Sequence, residues 1–377
     1  MLNIPVSRPF IGEEEADAAR DAVIKGDISG IFGSYIQEFE KGYASFCGTK
    51  HAITVNSGTT ALHLAIATLE IGPGDDVLVS SLTNMATFFA VLYQGARPIP
   101  IDIKPDTYNI DPALLEEKLT PKTKAIIIVH LYGHPVDMGP VMEFSHKYRL
   151  RVIEDVAEAH GAEWNGQRVG SFGDISCHSF YANKILTTGE GGMLTLNDDR
   201  LANRAKTLKT LAFGKENKFI HQDIGYNYRL TNIQCAIGVI QLKKINEILR
   251  LKRSMAAFYT QELNDIEGLQ LPVEKSYAKN VYWMYHVVLT GSLEGKRTAI
   301  MSKLKERGIE TRESFVPFNQ QIDIIKKYHL DQPHDCPIAN RISREGFYLP
   351  SGTVISQLEL ETVVHEVRSI CRKISCI

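Results

Sequence analysis

The sequence predicts an α/β fold: a large, mostly parallel, doubly wound sheet domain followed by a smaller C-terminal α+β domain. Three observations predict it. Short apolar runs alternate with helix-patterned segments through residues 51–155, the succession that gives a sheet covered by helices on both faces. Lys124-Ala-Ile-Ile-Ile-Val-His130 is almost continuously apolar, as a parallel strand buried on both faces must be. The chain has 377 residues, 44% hydrophobic and 23% charged, an ordinary globular composition with room for two domains. The expected division is 1–245, with an N-terminal arm over 1–12, and 246–377.

The elements follow in order. Ala52–Val55 reads as a strand. Thr59–Leu69 reads as a helix, with Ala61, Leu62, Ala65, Ile66 and Leu69 at helical spacing. Asn56 and Ser57 suit its N-cap, and Gly72-Pro73-Gly74 ends it. Asp76–Ser80, Pro98–Asp102, Lys124–His130 and Arg151–Asp155 are further strands, with helices over Thr87–Gln94 and Met138–Tyr148 between them. Ile175–Tyr181 and Met193–Leu196 flank the turn-rich Thr187-Thr-Gly-Glu-Gly-Gly192 and suggest a hairpin near a ligand. Thr231–Phe258 contains no proline and predicts one long helix linking the domains. The C-terminal part holds a strand over Met284–Leu289, a helix over Lys296–Arg307 and a final helix near Gln357–Arg372. No repeat of 20–50 residues is visible.

Charge and composition exclude several function classes. There are 42 Lys and Arg against 44 Asp and Glu, a net charge of −2, which gives no electrostatic case for nucleic acid. No stretch reaches the roughly 18 apolar residues of a membrane span. The opening residues lack a basic n-region and a long apolar h-region. The six cysteines, Cys47, Cys177, Cys235, Cys336, Cys371 and Cys376, are dispersed without zinc or redox spacing. Reduced thiols in a cytoplasmic protein are expected.

Three segments carry the chemistry. Asn56-Ser-Gly-Thr-Thr60 lies between a strand and a helix, where glycine permits close approach and free N–H groups suit a phosphate. Alone it reads more readily as a plain N-cap, without the Lys of a Walker loop or the glycine pattern of a dinucleotide fold. Glu154-Asp-Val-Ala-Glu158 sits at a strand end, where ligands of such sheets bind. A carboxylate there can hold a protonated ring nitrogen, or simply cap or pair. Ser179-Phe-Tyr-Ala-Asn-Lys184 precedes the glycine-rich turn. A desolvated lysine there becomes a Schiff-base nucleophile, whereas most lysines lie on the surface with their heads in water. Taken together, the order of anion site, strand-end Asp and Lys matches the needs of pyridoxal phosphate. His130 and His134 are four apart, but the strand ends there and Tyr132-Gly133 reads as a turn, so no metal is expected.

These segments, with His130-Leu-Tyr-Gly-His-Pro135, Gly173-Asp-Ile, Thr187-Thr-Gly-Glu-Gly-Gly-Met193 and Gly225-Tyr-Asn-Tyr-Arg-Leu-Thr-Asn232, resemble the DegT/DnrJ/EryC1/StrS sugar aminotransferases essentially end to end. Among them the chain resembles the branch that makes GDP-perosamine from a GDP-linked 4-keto-6-deoxymannose. The resemblance implies the aspartate aminotransferase fold, fold type I of the pyridoxal-phosphate enzymes. It implies Lys184 as covalent cofactor anchor and proton shuttle, and Asp155 on the pyridinium nitrogen. Glu158 would lie near the ring hydroxyl, with Gly58, Thr59 and Ser179 on the phosphate. Asn227 would reach the phosphate in a neighbouring subunit, giving a homodimer with composite sites. Gly189 to Gly192 would line the site near Lys184. The implied reaction moves an amino group from glutamate to a nucleotide-linked 4-keto-6-deoxyhexose for a surface polysaccharide, passing through pyridoxamine phosphate.

Two positions depart from the family. An aromatic residue that often stacks on the cofactor ring is Asn84 here, and Phe88, one helical turn on, is expected to supply the apolar face. In Gly308-Ile-Glu-Thr-Arg-Glu-Ser-Phe-Val-Pro-Phe-Asn319, a frequent His is replaced by Asn319, while Arg312 remains available to an anion, a sugar hydroxyl or an ion pair. His160 adjoins the cofactor motif without an assigned role. Alternatives are a ketone at C3, a sugar without a nucleotide, a dehydratase (which carries His at the position of Lys184), or a non-catalytic sensor. A sensor would need an output element such as a DNA-binding helix pair, and none is expected from this sequence.

Overall fold

The computed structural model describes residues 3–214, 216–217, 219–221, 223–330 and 335–375; Cys376 lies outside them. Seven strands form the large sheet: β1 (His51–Val55), β2 (Asp76–Ser80), β3 (Arg97–Ile101), β4 (Thr123–Val129), β5 (Arg151–Asp155), β6 (Ile175–Ser179) and β7 (Gly192–Leu196). Their spatial order is β1-β7-β6-β5-β4-β2-β3. β7 runs antiparallel to β1 and β6, and all other neighbours are parallel. The expected hairpin is therefore the β6–β7 pair.

The sequence of β4 explains why both faces are covered. Ala125 and Ile127 pack on one side with α3 (Gly58–Thr68) and α4 (Ala86–Tyr93). Ile126 and Ile128 pack on the other with α5 (Met138–Tyr148). The period of two sends successive side chains to opposite faces, so a strand apolar on both must be sandwiched. Fully burying each Ile contributes roughly 1.5–3 kcal/mol. The N-cap reading holds: Ser57 Oγ accepts from Thr60 N at 3.1 Å.

Two helices unassigned in the sequence, α1 (Glu13–Ile24) and α2 (Ser34–Cys47), precede β1 and pack on the helix Asn232–Lys243. The expected single helix over Thr231–Phe258 is two, α7 (Asn232–Lys243) and α8 (Ile245–Leu263). Lys244 breaks it. Its ψ is −2°, and its ammonium lies 2.5 Å from Glu14 and 3.0 Å from Glu15 of the first helix. No glycine or proline marks this break; a tertiary ion-pair cluster holds the turn.

The C-terminal sheet is antiparallel, with β8 (Leu269–Gln270), β9 (Tyr285–Leu289), β10 (Arg312–Glu313) and β11 (Gly346–Leu349) in the order β8-β9-β11-β10. α8 and the last helix, Gln357–Ser375, share its core with Tyr285, Val287 and Phe347. The N-terminal arm crosses to it: Ile4 N donates to Gly308 O at 2.8 Å, and Ser351 N to Val6 O at 2.8 Å. We propose the domain division at 245/246, with the arm clasping the second unit. Among the described residues no helix is long and apolar enough to cross a membrane. The five described cysteines, Cys47, Cys177, Cys235, Cys336 and Cys371, are buried.

Candidate active site

The pleat of β5 sorts its last two carboxylates. Ile153 packs with α3 and α4, whereas Val152 packs with α5. Asp155 follows Ile153's face and Glu154 follows Val152's. On the α4 side, Asp155 Oδ2 accepts from Thr87 Oγ1 at 2.8 Å, and Oδ1 accepts from Ala157 N at 3.1 Å. On the other side, Glu154 accepts from His130, Gly170, Phe172, Gly173 and Ser176 at 2.8–3.1 Å.

Asp155 lies in the wall of a cavity of about 340 Å³ at the carboxyl ends of the parallel strands. Gly58, Thr59, Asn84, Glu158, Ser179 and Lys184 share that wall. Gly58 and Thr59 start α3, where first-turn N–H groups have no partner four residues back. A Cβ on Gly58 would come within 2.7 Å of Ser179 Cβ, and one on Gly192 within 2.3 Å of Ser57 O. Glycine at both positions lets the hairpin close against the helix start. The result is a notch of helix-end amides beside a hydroxyl, the makings of an anion cradle.

Lys184 follows β6. Its Nζ lies 4.0 Å from Glu158 Oε1 and 4.0 Å from the centre of the Trp283 ring. Burial lowers its pKa, against the opposing pull of Glu158 and Asp155. Burial raises Glu158 to about 7, against Lys184 and the Tyr132 N–H that donates at 2.8 Å. Burial also raises Asp155, against its bonds from Ala157 and Thr87. A lysine poised toward neutrality and two carboxylates with few partners are chemically ready in a way that a saturated ion pair is not. The donor set fits pyridoxal phosphate: the notch for phosphate, Asp155 for a protonated ring nitrogen, and Lys184 for the aldehyde.

The remaining expected residues are placed differently. Phe88 does not supply an apolar face to the cavity: its ring is fully buried and stacks on Phe318 at 4.2 Å, interplanar angle 0°. It faces the core because α4 turns that side inward. Asn84 does reach the wall, and its Oδ1 accepts from Ala86 N at 3.0 Å. Arg312 pairs with Glu310 at 2.6 Å, outside the wall. Asn319 lies in a short 3₁₀ turn, also outside it, with Oδ1 buried and unpartnered. Of the glycine-rich turn only Glu190 lines the cavity.

Asn227 is exposed and away from this chain's cavity. Its neighbours Tyr226 and Tyr228 stack at 4.9 Å, and both are hydrogen-bonded within the fold, Tyr228 to His63 and Tyr226 to Gln94. His130 and His134 are bonded inside the protein: Val136 N donates to His130 Nδ1, and Lys275 N to His134 Nε2. Burial and nearby Lys184 push His160 down to about 3, so it stays neutral.

Sequence reasoning missed Thr87, the donor to Asp155, and Tyr132, whose φ of +53° turns its N–H toward Glu158. It also missed Trp283, Tyr348 and Phe315, which bring the C-terminal unit into the wall. None has a local signal except Thr87, the first residue of the predicted helix after a strand.

A model of the DegT/DnrJ/EryC1/StrS aminotransferase family matches residues 9–368. GDP-perosamine synthase of Caulobacter vibrioides is 40% identical over 362 residues, 96% of this chain and 96% of that one. The dTDP-3-amino-3,6-dideoxy-alpha-D-galactopyranose transaminase of Aneurinibacillus thermoaerophilus is 38% identical over 89% of this chain and 90% of its own. Among solved structures, the aminotransferase TlmJ from Streptoalloteichus hindustanus has a TM-score of 0.92 at 30% identity, covering 99% of this chain and 100% of that one. A sugar aminotransferase of Streptococcus pneumoniae in its PLP form has a TM-score of 0.93 at 25% identity, covering 99% and 100%.

Proposed function

The chain belongs to the DegT/DnrJ/EryC1/StrS aminotransferase family, and from that premise we propose that this pyridoxal-phosphate-dependent sugar aminotransferase moves the amino group of glutamate to the 4-keto carbon of a nucleotide-linked 6-deoxyhexose. The carrying observation is Lys184, desolvated between Glu158 and Trp283 in one cavity with Asp155. The choice of sugar is supported by the end-to-end likeness to GDP-perosamine synthase. The product would then feed a surface polysaccharide.

When bound, pyridoxal phosphate supplies an electron sink for ionising the C–H bond next to the transferred nitrogen. Gly58, Thr59 and Ser179 would hold its phosphate. Asp155, steadied by Thr87, would hold the ring nitrogen, and Glu158 would lie toward the ring hydroxyl. Lys184 Nζ, whose pKa burial lowers, takes the proton from the donor's α-carbon in its neutral form. It later delivers a proton to the sugar carbon that receives nitrogen. Trp283 and Tyr348 line the cavity with that amine and would shield it from water.

The active unit proposed is a homodimer, with Asn227 of each copy completing the other's phosphate site. The exposure of Asn227, between the stacked Tyr226 and Tyr228, supports that reading. Mixing Lys184→Ala with Asn227→Ala protein should restore activity, because a mixed dimer contains one intact site. No restoration would place Asn227 in its own chain's site or in none.

The substrate test begins with the visible absorbance of the purified, cofactor-loaded protein. Glutamate should bleach it, and the correct keto-sugar should return it. GDP- and dTDP-linked 4-keto-6-deoxyhexoses, and a 3-keto isomer, are offered in turn and the aminated carbon identified. A spectrum restored only by the 3-keto sugar would favour the second reading, supported by the 38% identical transaminase that makes a 3-amino sugar. No bleaching by glutamate would overturn the donor.

A further inference from the structure

Lys252 is a buried lysine that the amino-transfer chemistry does not use. It projects from α8 and is 4% exposed. Its ammonium donates to Trp283 O at 2.7 Å and, by a shorter bond, to Ser351 O. Among the described residues it has no carboxylate partner, and burial alone pushes it down to about 7. A lysine buried without a counter-charge is costly, and an aliphatic side chain there would pack more cheaply. What it grips therefore matters.

Trp283 sits where the chain enters β9, just after a strained turn. Tyr282 has φ +48°, a left-handed conformation that a bulky residue adopts only when its surroundings force it. Asn280 Oδ1 accepts from Tyr282 N at 2.8 Å, and Val281 N donates to Gly133 O at 3.2 Å. Beyond that turn the indole is held from other sides too. Its N–H donates to Asn183 O at 2.8 Å, beside Lys184. Its ring lies nearly parallel to Tyr132, at 6.5 Å and 11°. Its face covers Lys184 Nζ at 4.0 Å.

We propose that Lys252 is a positioning residue for the aminotransferase reaction: by clamping the carbonyls of Trp283 and Ser351, it fixes the Trp283 indole over Lys184. The clamp joins α8, the entry to β9 and the segment after β11, so it ties the C-terminal unit to the reacting lysine. Ser351 is itself fixed, its Oγ donating to Leu349 O at 2.6 Å and accepting from Tyr285 N at 2.8 Å. Lys252 touches no reacting atom. It acts through Trp283, which shields the amine and sets its approach. Loss of the clamp takes its donor from both carbonyls, Trp283 O and Ser351 O, and leaves the strained turn free to relax.

The sequence contains two tryptophans, Trp164 and Trp283, so Trp164→Phe leaves Trp283 as sole reporter. In that background, cofactor-loaded Lys252→Met should show Trp283 emission shifted to the red and quenched more readily by acrylamide. Its kcat should fall about 10- to 100-fold, the effect of a small misplacement near the reacting atoms. Lys252→Arg, which keeps donors, should recover much of both. In Trp283→Leu, the further change Lys252→Met should cost little more, since the residue it positions is gone. A lowered melting temperature with unchanged emission, quenching and kcat would make Lys252 a purely structural anchor and overturn the proposal. Full additivity with Trp283→Leu would do the same. If Lys252→Met does not fold, Lys252→Gln is read by the same criteria. The fluorescence arm needs no sugar, so its outcome is independent of which keto-sugar proves to be the substrate.

Discussion

Glu154 and Asp155 are adjacent in sequence and sit on opposite faces of one strand, and their surroundings could hardly differ more. Below the sheet, Glu154 is buried but accepts five hydrogen bonds, one of them from His130, which outweigh that burial and hold it at about 2. Above the sheet, Asp155 accepts two. Its neighbour Glu158 has one backbone N–H and a lysine at 4.0 Å, and burial raises it to about 7. A buried carboxylate saturated with donors has nothing left to offer a ligand. One left short of donors can still bind or exchange a proton. The lower face is architecture and the upper face is chemistry.

The largest effect should come from the upper face. Lys184→Ala should abolish covalent cofactor attachment and lower the rate by at least the roughly 10²–10⁴-fold that a positioned acid–base group supplies. Its folding should be unimpaired, since it removes a cation that burial disfavours. Visible absorbance and a thermal melt check both halves. A variant that lost its melting transition as well would erase the distinction between the faces. The converse applies below: Glu154→Gln turns one oxygen into a donor facing N–H groups, leaving buried donors unpaired at about 1–3 kcal/mol each. Its melting temperature should drop sharply in cofactor-free protein.

A gentler test uses pH. Glu154 is held near 2, below its ordinary 4.5, so its contribution is present above about 4.5 and is lost as pH falls toward 2. Glu158 is raised from 4.5 to about 7. The folded protein then binds a proton that the unfolded chain releases, so stability falls as pH rises from about 4.5 to about 7. Opposite slopes are expected in melts of the cofactor-free protein. Glu158→Gln should flatten the upper window and leave the acid limb untouched. An unchanged upper window would mean that Glu158 is ionised throughout.

Much of this was legible in the sequence, and the limits are physical. The strands β1 to β7 and the helices between them declared themselves through apolar runs, because two-sided burial leaves no polar alternation. Lys184, Asp155, Ser179 and the Asn56–Thr60 turn were legible because a short segment carries each. Phe88 was misplaced because helical spacing gives a direction only once the inward face of α4 is known, and that face turned out to meet Phe318. The break at Lys244 was hidden because ion pairs from a distant helix cause it. Helix Ser34–Cys47 did have a signal, Phe39, Tyr43 and Cys47 at four-residue steps before Gly48. Trp283 and Tyr132 reach the cavity only through tertiary packing, so no motif announces them.

The smallest predicted change bears most directly on the upper face. Thr87 gives Asp155 one of its two hydrogen bonds, and the same hydroxyl is 3.1 Å from that of Thr83. Thr87→Val keeps the shape and removes the donor. A net hydrogen bond to a charged group is worth about 1.5–3 kcal/mol, but Asp155 would retain the Ala157 N–H and gain strength on the ring nitrogen. The expected outcome is therefore a few-fold weaker retention of pyridoxal phosphate on dialysis, with a melting temperature close to that of the parent. The carboxylate becomes less stabilised as an anion, so the pH at which cofactor is released should rise. If retention and its pH dependence are both unchanged, Thr87 only fills space and Asp155 is oriented by the strand end alone. If the protein unfolds instead, the upper face is as architectural as the lower, and the contrast between Glu154 and Asp155 fails.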